Sequence, residues 1–381
     1  MRRLQSLLFL LCMLALVLAP GLALIAQTGI SDRLAPLANG NLFGQTLAAE
    51  RPDITLTNLL DRKAQAQLEA WLGERMGWPR EKLIRISNGI DFLIDRSSNP
   101  GIIFGKRKQL YTREMAKDWC LRPAASFVDQ LAEQIATTQE LLRQRGKAFV
   151  FVMSPNKAAL YPESLPTYCR PDMSKPRALQ LLATLLRERG VNFVDTEDVI
   201  LHASKQWVSF GKYGQHWNNL GAFYAVDAIK AEIEKQLHRT IAKLELSEVT
   251  VDREPVFGEA DTGMLLNLPF ELHPISPHAK IIIKERGQPI DLMIVGTSFS
   301  DGLIGPMLQD GIAQRVTSYN YFRNTLRYDT KNWPKDRSPE LPPDDLPISI
   351  RHVDAVILDG YAAQLYSGHL PAFAKAVAAL P

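Results

Sequence analysis

Two short stretches hold the residue types that acyl transfer needs. The first is Gly296-Thr297-Ser298-Phe299-Ser300-Asp301-Gly302, which follows the apolar run Leu292–Val295. A serine at the turn from a strand into a helix exposes its hydroxyl at the sheet edge. The first N–H groups of that helix point at the same spot, where they stabilise a developing oxyanion. A plainer use of the same residues is Ser298 or Ser300 as the N-cap of a helix from Asp301. The turn departs from the Gly-x-Ser-x-Gly elbow, since Ser300 stands where the second glycine would be. The second stretch is Tyr213-Gly214-Gln215-His216-Trp217-Asn218-Asn219-Leu220-Gly221. His216 sits just ahead of a helix whose N-cap is Asn218 or Asn219. A histidine there takes the proton of a serine hydroxyl if the fold brings the two together. The chain has seven histidines, so a capping or surface role is the alternative.

The order of these stretches, with two others, resembles a family. His216-Trp217-Asn218 with Gly221, followed by a helix and later by Gly296-Thr297-Ser298-Phe299-Ser300 after a strand, is similar to the alginate O-acetyltransferases of the AlgJ/AlgX type. Ser154-Pro155-Asn156-Lys157 through Tyr161-Pro162-Glu163 resembles their Pro-x-Lys and Tyr-Pro-Glu segment, and Ala260-Asp261-Thr262-Gly263-Met264-Leu265 the loop before their serine strand. The resemblance covers residues 80–381. It implies an SGNH-hydrolase-like α/β fold, Ser298 as nucleophile and His216 as general base. The Ser298 N–H and a donor near Asn320 would form the oxyanion hole. Under this reading Trp217, Asn218, Lys157, Tyr161, Tyr319 and Asn320 are the candidates for holding the glycan. No metal and no soluble cofactor are implied. The implied partners are a polysaccharide acceptor, a multi-pass membrane acyltransferase supplying acetyl, and other subunits of exopolysaccharide synthesis. No carbohydrate-binding module of the AlgX kind is expected.

The chain also departs from the family's Asp-x-His-Trp motif, because Gly214 occupies the place of the acid. An acid there fixes the histidine tautomer and stabilises the imidazolium. Three outcomes stand open. Another carboxylate, Asp261 or Asp301, supplies the role; a backbone carbonyl holds the ring in a Ser298–His216 dyad; or the fold persists as a non-catalytic glycan-binding or scaffold subunit. A further alternative is an acetylesterase, in which water replaces the sugar hydroxyl. Around Asp354-Ala355-Val356-Ile357-Leu358-Asp359-Gly360-Tyr361 the family usually carries glutamates, so an altered rim of the site is expected.

The elements that must position these groups follow from periodicity. Apolar residues at Leu60, Ala64, Leu68 and Leu72 have helical spacing over residues 59–75. Residues 100–120 read as short strands. Helices are predicted over 127–143, 177–189, 220–237, 301–314 and 371–380. Strands are predicted over 148–153, 191–194, 292–296, 316–321 and 355–358, with a long polar stretch after residue 237. Short apolar strands alternating with amphipathic helices predict a mostly parallel sheet covered on both faces, with function at the carboxyl ends of its strands.

The N-terminus speaks to location. Arg2 and Arg3 precede Leu7 to Ala26, a run without polar side chains. Twenty apolar residues in a helix span about 30 Å, a bilayer core, and the preceding charge keeps that end in the cytoplasm. A signal anchor and a cleaved signal peptide, with Gly21-Leu22-Ala23 as the cleavage region, both fit. Residues 1–27 are that segment, 28–79 a stalk and helical lead-in, and 80–381 the acetyltransferase-like domain. Export to the periplasm, with or without a membrane tether, is the expectation. Cys120 and Cys169 are the only thiols beyond the apolar segment, and an oxidising compartment predicts their pairing.

The 381 residues are 46% hydrophobic and 22% charged, which excludes collagen-like, coiled-coil and largely disordered chains. That length allows two to three domains or one large α/β domain. Forty-four basic against 41 acidic residues leave +3, and Lys106-Arg107-Lys108 is only a short basic loop, so nucleic acid is set aside. Near-zero charge gives no preference between a uronate polymer and a neutral glucan as acceptor.

Overall fold

A computed structural model describes residues 2–26, 42–44, 49–53, 55–60, 63–122, 126–203, 206–255, 258–331 and 346–380. Residues 28–41 and 45–48 of the expected stalk and lead-in lie outside the described residues. The chain divides into two compact units, residues 1–99 with 263–271, and residues 100–262 with 272–381.

The first unit is helical: α1 (Arg2–Ala26), α2 (Leu56–Leu60), α3 (Lys63–Arg75) and α4 (Gly77–Leu93). Helix α1 forms over the apolar run. Many of its side chains lie outside the described residues, and among those described no helix is long and apolar enough to cross a membrane. Gly89 lets Pro269 approach α4 so closely that a Cβ would lie 2.9 Å from its ring.

The second unit opens with the antiparallel pair β1 (Ile102–Phe104) and β2 (Leu110–Thr112), then α5 (Arg113–Leu121) and α6 (Val128–Gln144). Strand β3 (Ala148–Ser154), the single turn α7 (Lys157–Leu160), α8 (Ala178–Glu188), β4 (Phe193–Asp195) and α9 (Thr196–Ala203) follow. After α10 (Asn219–Leu237) come β5 (Ala242–Asp252), α11 (Asp261–Met264), which begins at the unit boundary, and β6 (Ser276–Arg286). The chain closes with β7 (Ile290–Gly296), α12 (Ser298–Gln309), β8 (Ala313–Asn320), β9 (Asn324–Asp329), α13 (Leu346–Ser349), β10 (Ala355–Tyr361) and α14 (His369–Ala378).

Six strands form one sheet in the order β4-β3-β10-β7-β8-β9, parallel except for β9, which runs antiparallel to β8 at the edge. The last strand of the sequence thus lies at its centre. Every residue of β3, β7 and β10 is buried, which is why these segments read as unbroken apolar runs rather than alternating ones. Alternate residues feed two cores: Val150, Val152, Leu292, Ile294 and Ile357 on one face, and Phe149, Phe151, Met293, Val295 and Val356 on the other. Each such side chain contributes about 1.5–3 kcal/mol by leaving water.

Three expectations are corrected. Residues 100–120 contain two short strands but also α5. The predicted helix over 301–314 begins three residues earlier and ends at Gln309, its last two positions joining β8. The polar stretch after residue 237 contains a two-stranded ribbon, β5 with β6, whose side chains are mostly half-buried or exposed, with alternation in the first half of β5. Charges at Lys243, Glu245, Glu248, Lys280 and Lys284 break up its apolar residues, so it lacks the long apolar run that marks the central strands.

Candidate active site

The serine turn is built by burial around a single exposed residue. Ser298 is partly exposed, whereas Thr297, Phe299 and Ser300 on either side are buried. Neither serine caps the helix. Thr297 does, its side chain accepting from the Phe299 N–H at 3.3 Å, while the Ser300 hydroxyl donates back to the Thr297 carbonyl at 2.6 Å. Thr297 is fixed in turn by Asp359 of β10, whose Oδ2 accepts from its N–H at 2.9 Å and its hydroxyl at 2.7 Å. The other carboxylate oxygen accepts from Ser154 Oγ at 2.5 Å. Gly296 is required by this crowding: a Cβ there would lie 2.7 Å from Ser300 Oγ and 2.8 Å from Asp359.

The histidine loop approaches from α10. An isolated bridge pairs Phe210 with Trp217, and the Asn218 N–H donates to the Ser209 carbonyl at 2.8 Å. Asn218 caps α10, accepting from the Gly221 N–H at 3.0 Å. Trp217 is fully buried edge-on against Phe299, with ring centroids 5.4 Å apart. The His216 ring lies 4.7 Å from the same phenyl ring, so one aromatic side chain next to Ser298 packs against both residues. His216 is 6% exposed.

These elements bring three functional groups into line. His216 Nε2 lies 2.8 Å from Ser298 Oγ, and His216 Nδ1 lies 2.5 Å from Asp261 Oδ2. The second oxygen of Asp261 accepts from the N–H groups of Gln215 at 2.8 Å and Thr262 at 2.7 Å. An acceptor-only carboxylate on Nδ1 selects the tautomer whose Nε2 lone pair faces the serine hydroxyl. Of the two carboxylates considered from sequence, Asp261 meets the ring. Asp301 instead accepts from Asn320 Nδ2 at 3.3 Å.

Gly214 owes its place to main-chain packing. A Cβ at 214 would sit 1.8 Å from the Gly258 carbonyl oxygen, one at 211 would sit 2.2 Å from the Glu259 oxygen, and one at 258 would meet His216 Cβ at 2.6 Å. Two backbone segments, 211–216 and 258–261, therefore lie against each other, and the second delivers Asp261. Lys157 locks the first segment. Its fully buried ammonium donates to the carbonyls of Gly214 at 2.6 Å, Gly211 at 2.7 Å, Leu110 at 2.9 Å and Lys212 at 3.2 Å. Burial pushes this amine down to about 7, against the opposing pull of the Asp261 charge.

Most residues expected along the glycan are corrected by their burial. Lys157, Trp217 and Tyr319 are 0% exposed and Asn218 only 1%, so none of them lines a surface. The Tyr161 hydroxyl accepts from the Ser209 N–H at 2.9 Å, and burial pushes it up to about 12, so it serves the loop beneath His216. Asn320 keeps partial exposure at the end of β8, which pairs with Gly296. Asp359, Gly258 and Phe299 were missed as site residues. The signal for Asp359 was there: a carboxylate inside an apolar strand must find donors. Cys120 and Cys169 form a disulfide with Cα atoms 5.1 Å apart. Among the described residues no group of His, Cys, Asp and Glu side chains is placed to hold a metal ion.

Residues 102–320, which include Lys157, His216, Asp261 and Ser298, match the family described as "SGNH hydrolase-like domain, acetyltransferase AlgX". Two proteins described as "Probable alginate O-acetylase AlgJ" are similar. That of Pseudomonas aeruginosa is 26% identical over 151 residues, 38% of this chain and 36% of its own length. That of Pseudomonas syringae is 23% identical over 269 residues, 66% of this chain and 65% of its own length. The chain thus matches between about a third and two-thirds of those relatives. Among solved structures, the O-acetyltransferase domain of Pseudomonas putida AlgJ shares 18% identity over 70% of this chain and 92% of its own, with a TM-score of 0.46. Pseudomonas aeruginosa AlgX shares 13% over 71% of this chain and 65% of its own, with a TM-score of 0.45.

Proposed function

Because the chain belongs to the SGNH hydrolase-like acetyltransferase family of AlgX, we propose that it moves acetyl groups onto hydroxyls of an extracellular polysaccharide through an acyl-enzyme on Ser298. The observation that supports this reading is the line Asp261–His216–Ser298, with separations of 2.5 and 2.8 Å. As Ser298 Oγ attacks the acyl carbon, His216 Nε2 takes the hydroxyl proton and Asp261 stabilises the imidazolium. The imidazolium then protonates the leaving group, and the acetyl remains as an ester on Ser298. A sugar hydroxyl next gives its proton to Nε2 and attacks the ester carbon. The product ester leaves, and Ser298 Oγ recovers the proton.

The oxyanion is held by the Ser298 N–H, which at the first position of α12 lacks an intrahelical acceptor. Asn320 is the proposed second donor. The chemistry needs no soluble cofactor, because the acetyl arrives already activated; a multi-pass membrane acyltransferase is the proposed source. Other exopolysaccharide synthesis subunits are the proposed companions. We place the domain in the periplasm, tethered by α1 or released by cleavage within it. The scaffold alternative drew its support from Gly214, and Asp261 on the imidazole removes that support.

The test is hydrolysis of a chromogenic acetyl ester by the purified chain. Ser298→Ala and His216→Ala are expected to abolish it; equal rates in all three proteins would sink the reading. Adding polysaccharide separates transfer from hydrolysis: a transferase puts acetyl on the polymer, whereas an esterase releases only acetate.

A further inference from the structure

The carboxyl edge of the sheet holds a concavity away from the triad. It has a volume of about 340 Å³ and is lined on one side by Arg113, Glu114, Lys117 and Asp118, all on one face of α5. The other side is the turn after β10, from Ala362 to Tyr366. Phe127 and Ala178, at the starts of α6 and α8, close it. Helices that cover a parallel sheet begin where its strands end, so this hollow opens on the same edge as Ser298. It is also continuous with the triad through packing. Tyr361 precedes Ala362 and stacks on Phe299 at 4.7 Å, and Phe299 follows Ser298.

We propose that this hollow is a subsite for the acceptor glycan, holding sugar units some distance along the chain from the hydroxyl being acetylated. The proposal rests on the acyl-transfer reading and adds where the polymer lies. Its support is the chemistry of the lining. Two cations and two carboxylates share one helix face, so neither sign stands there alone. An anionic ligand would want the cations unopposed, and a metal ion the carboxylates. A row of hydroxyls, each both donor and acceptor, uses both kinds. Asp118 is a fixed acceptor among them: it is 6% exposed and held by Asn156 Nδ2 at 2.8 Å, with Arg177 3.5 Å away. Tyr366, at the rim, is 70% exposed, and an aromatic ring left bare beside such groups offers a flat apolar face for the C–H side of a sugar.

The experiment uses the full chain with two probes, an alginate hexasaccharide and cellohexaose. Binding is read by saturation-transfer NMR, and acetylation from a chromogenic acetyl ester by mass spectrometry. Wild type is expected to bind at least one probe. Tyr366→Ala and Lys117→Ala are expected to raise the hexasaccharide KM by about tenfold relative to the KM for the ester, with kcat for transfer little moved. Tyr366→Phe, which keeps the ring, is expected to restore most of the loss, a result that damage to the fold would not produce. Wild type that binds neither probe at millimolar concentration overturns the proposal. So do Ala variants whose relative KM stays within about twofold of wild type, or a Phe variant that restores nothing. If Ser298→Ala keeps ester hydrolysis, the acyl-transfer reading falls, while NMR binding with and without the Tyr366 ring still decides the subsite.

Discussion

At position 214 the main chain, not a side chain, is what the site uses: its carbonyl accepts from Lys157 and its missing Cβ admits the Gly258 carbonyl. The carboxylate beside His216 comes from the neighbouring segment instead, and the proposed reaction takes Asp261 as its acid. Asp261→Asn is therefore expected to lower kcat for ester hydrolysis by about three to four orders of magnitude with little change in KM, since the amide favours the wrong tautomer. Steady-state kinetics checks this. Gly214→Asp restores the family's motif in sequence but drives a side chain into backbone. It is expected to lower the melting temperature without raising activity, and a gain in turnover would mean that Asp261 is not the acid. Lys157→Met leaves several buried carbonyls without their donor, at about 1–3 kcal/mol for each orphaned group. It is expected to show a lower melting temperature together with a reduced kcat, since the loop it holds leads directly into His216.

At the scale of elements, β4 ends in Asp195, whose carboxylate accepts from the Glu197 and Asp198 N–H groups at the start of α9. Burial, reinforced by the Glu197 charge, pushes this carboxyl up from 3.8 to about 6. The folded state therefore keeps the proton that the unfolded chain gives up first. Stability from this group is fully present below about 4 and is lost as pH rises towards about 6. Asp195→Asn keeps an acceptor for the helix start and removes the titration. It is expected to flatten that part of the melting curve against pH and to raise the melting temperature at neutral pH by roughly 2–4 °C. The disulfide closes a 49-residue separation between the end of α5 and the segment before α8. In the chain-entropy view its loss costs about 4 kcal/mol, so the reduced protein, heavier by two hydrogens, is expected to melt lower. The helices over α6, α8, α10 and α14 and the central strands were legible to within two or three residues, because buried apolar runs and helical stripes are local signals, whereas α4, α5 and α9 were not predicted. The β5–β6 ribbon was not, because the charges among its apolar residues read as loop.

For the whole molecule, the reaction and its direction are the question. Cells lacking the chain are expected to make polysaccharide with less acetyl; an increase would assign the esterase instead. The fold class was legible as alternation of strand and helix, and the family resemblance as the order of its motifs. Strand order was not, since nothing local places the last strand, β10, between β3 and β7. That placement carries Asp359 under the serine turn and Tyr361 against Phe299.

By itself the sequence singled out Ser298 and His216 as the candidates for the chemistry and set both at the entrances to helices. Periodicity and capping are written within a few neighbouring residues, so one chain suffices to read them. The tertiary structure alone decided that Asp261 completes the line and that Gly214 marks a close approach of two backbones. It also decided that Lys157 and Trp217 face inward. These outcomes depend on contacts between segments far apart in the chain, and the residue type at one position does not say which distant backbone will lie beside it.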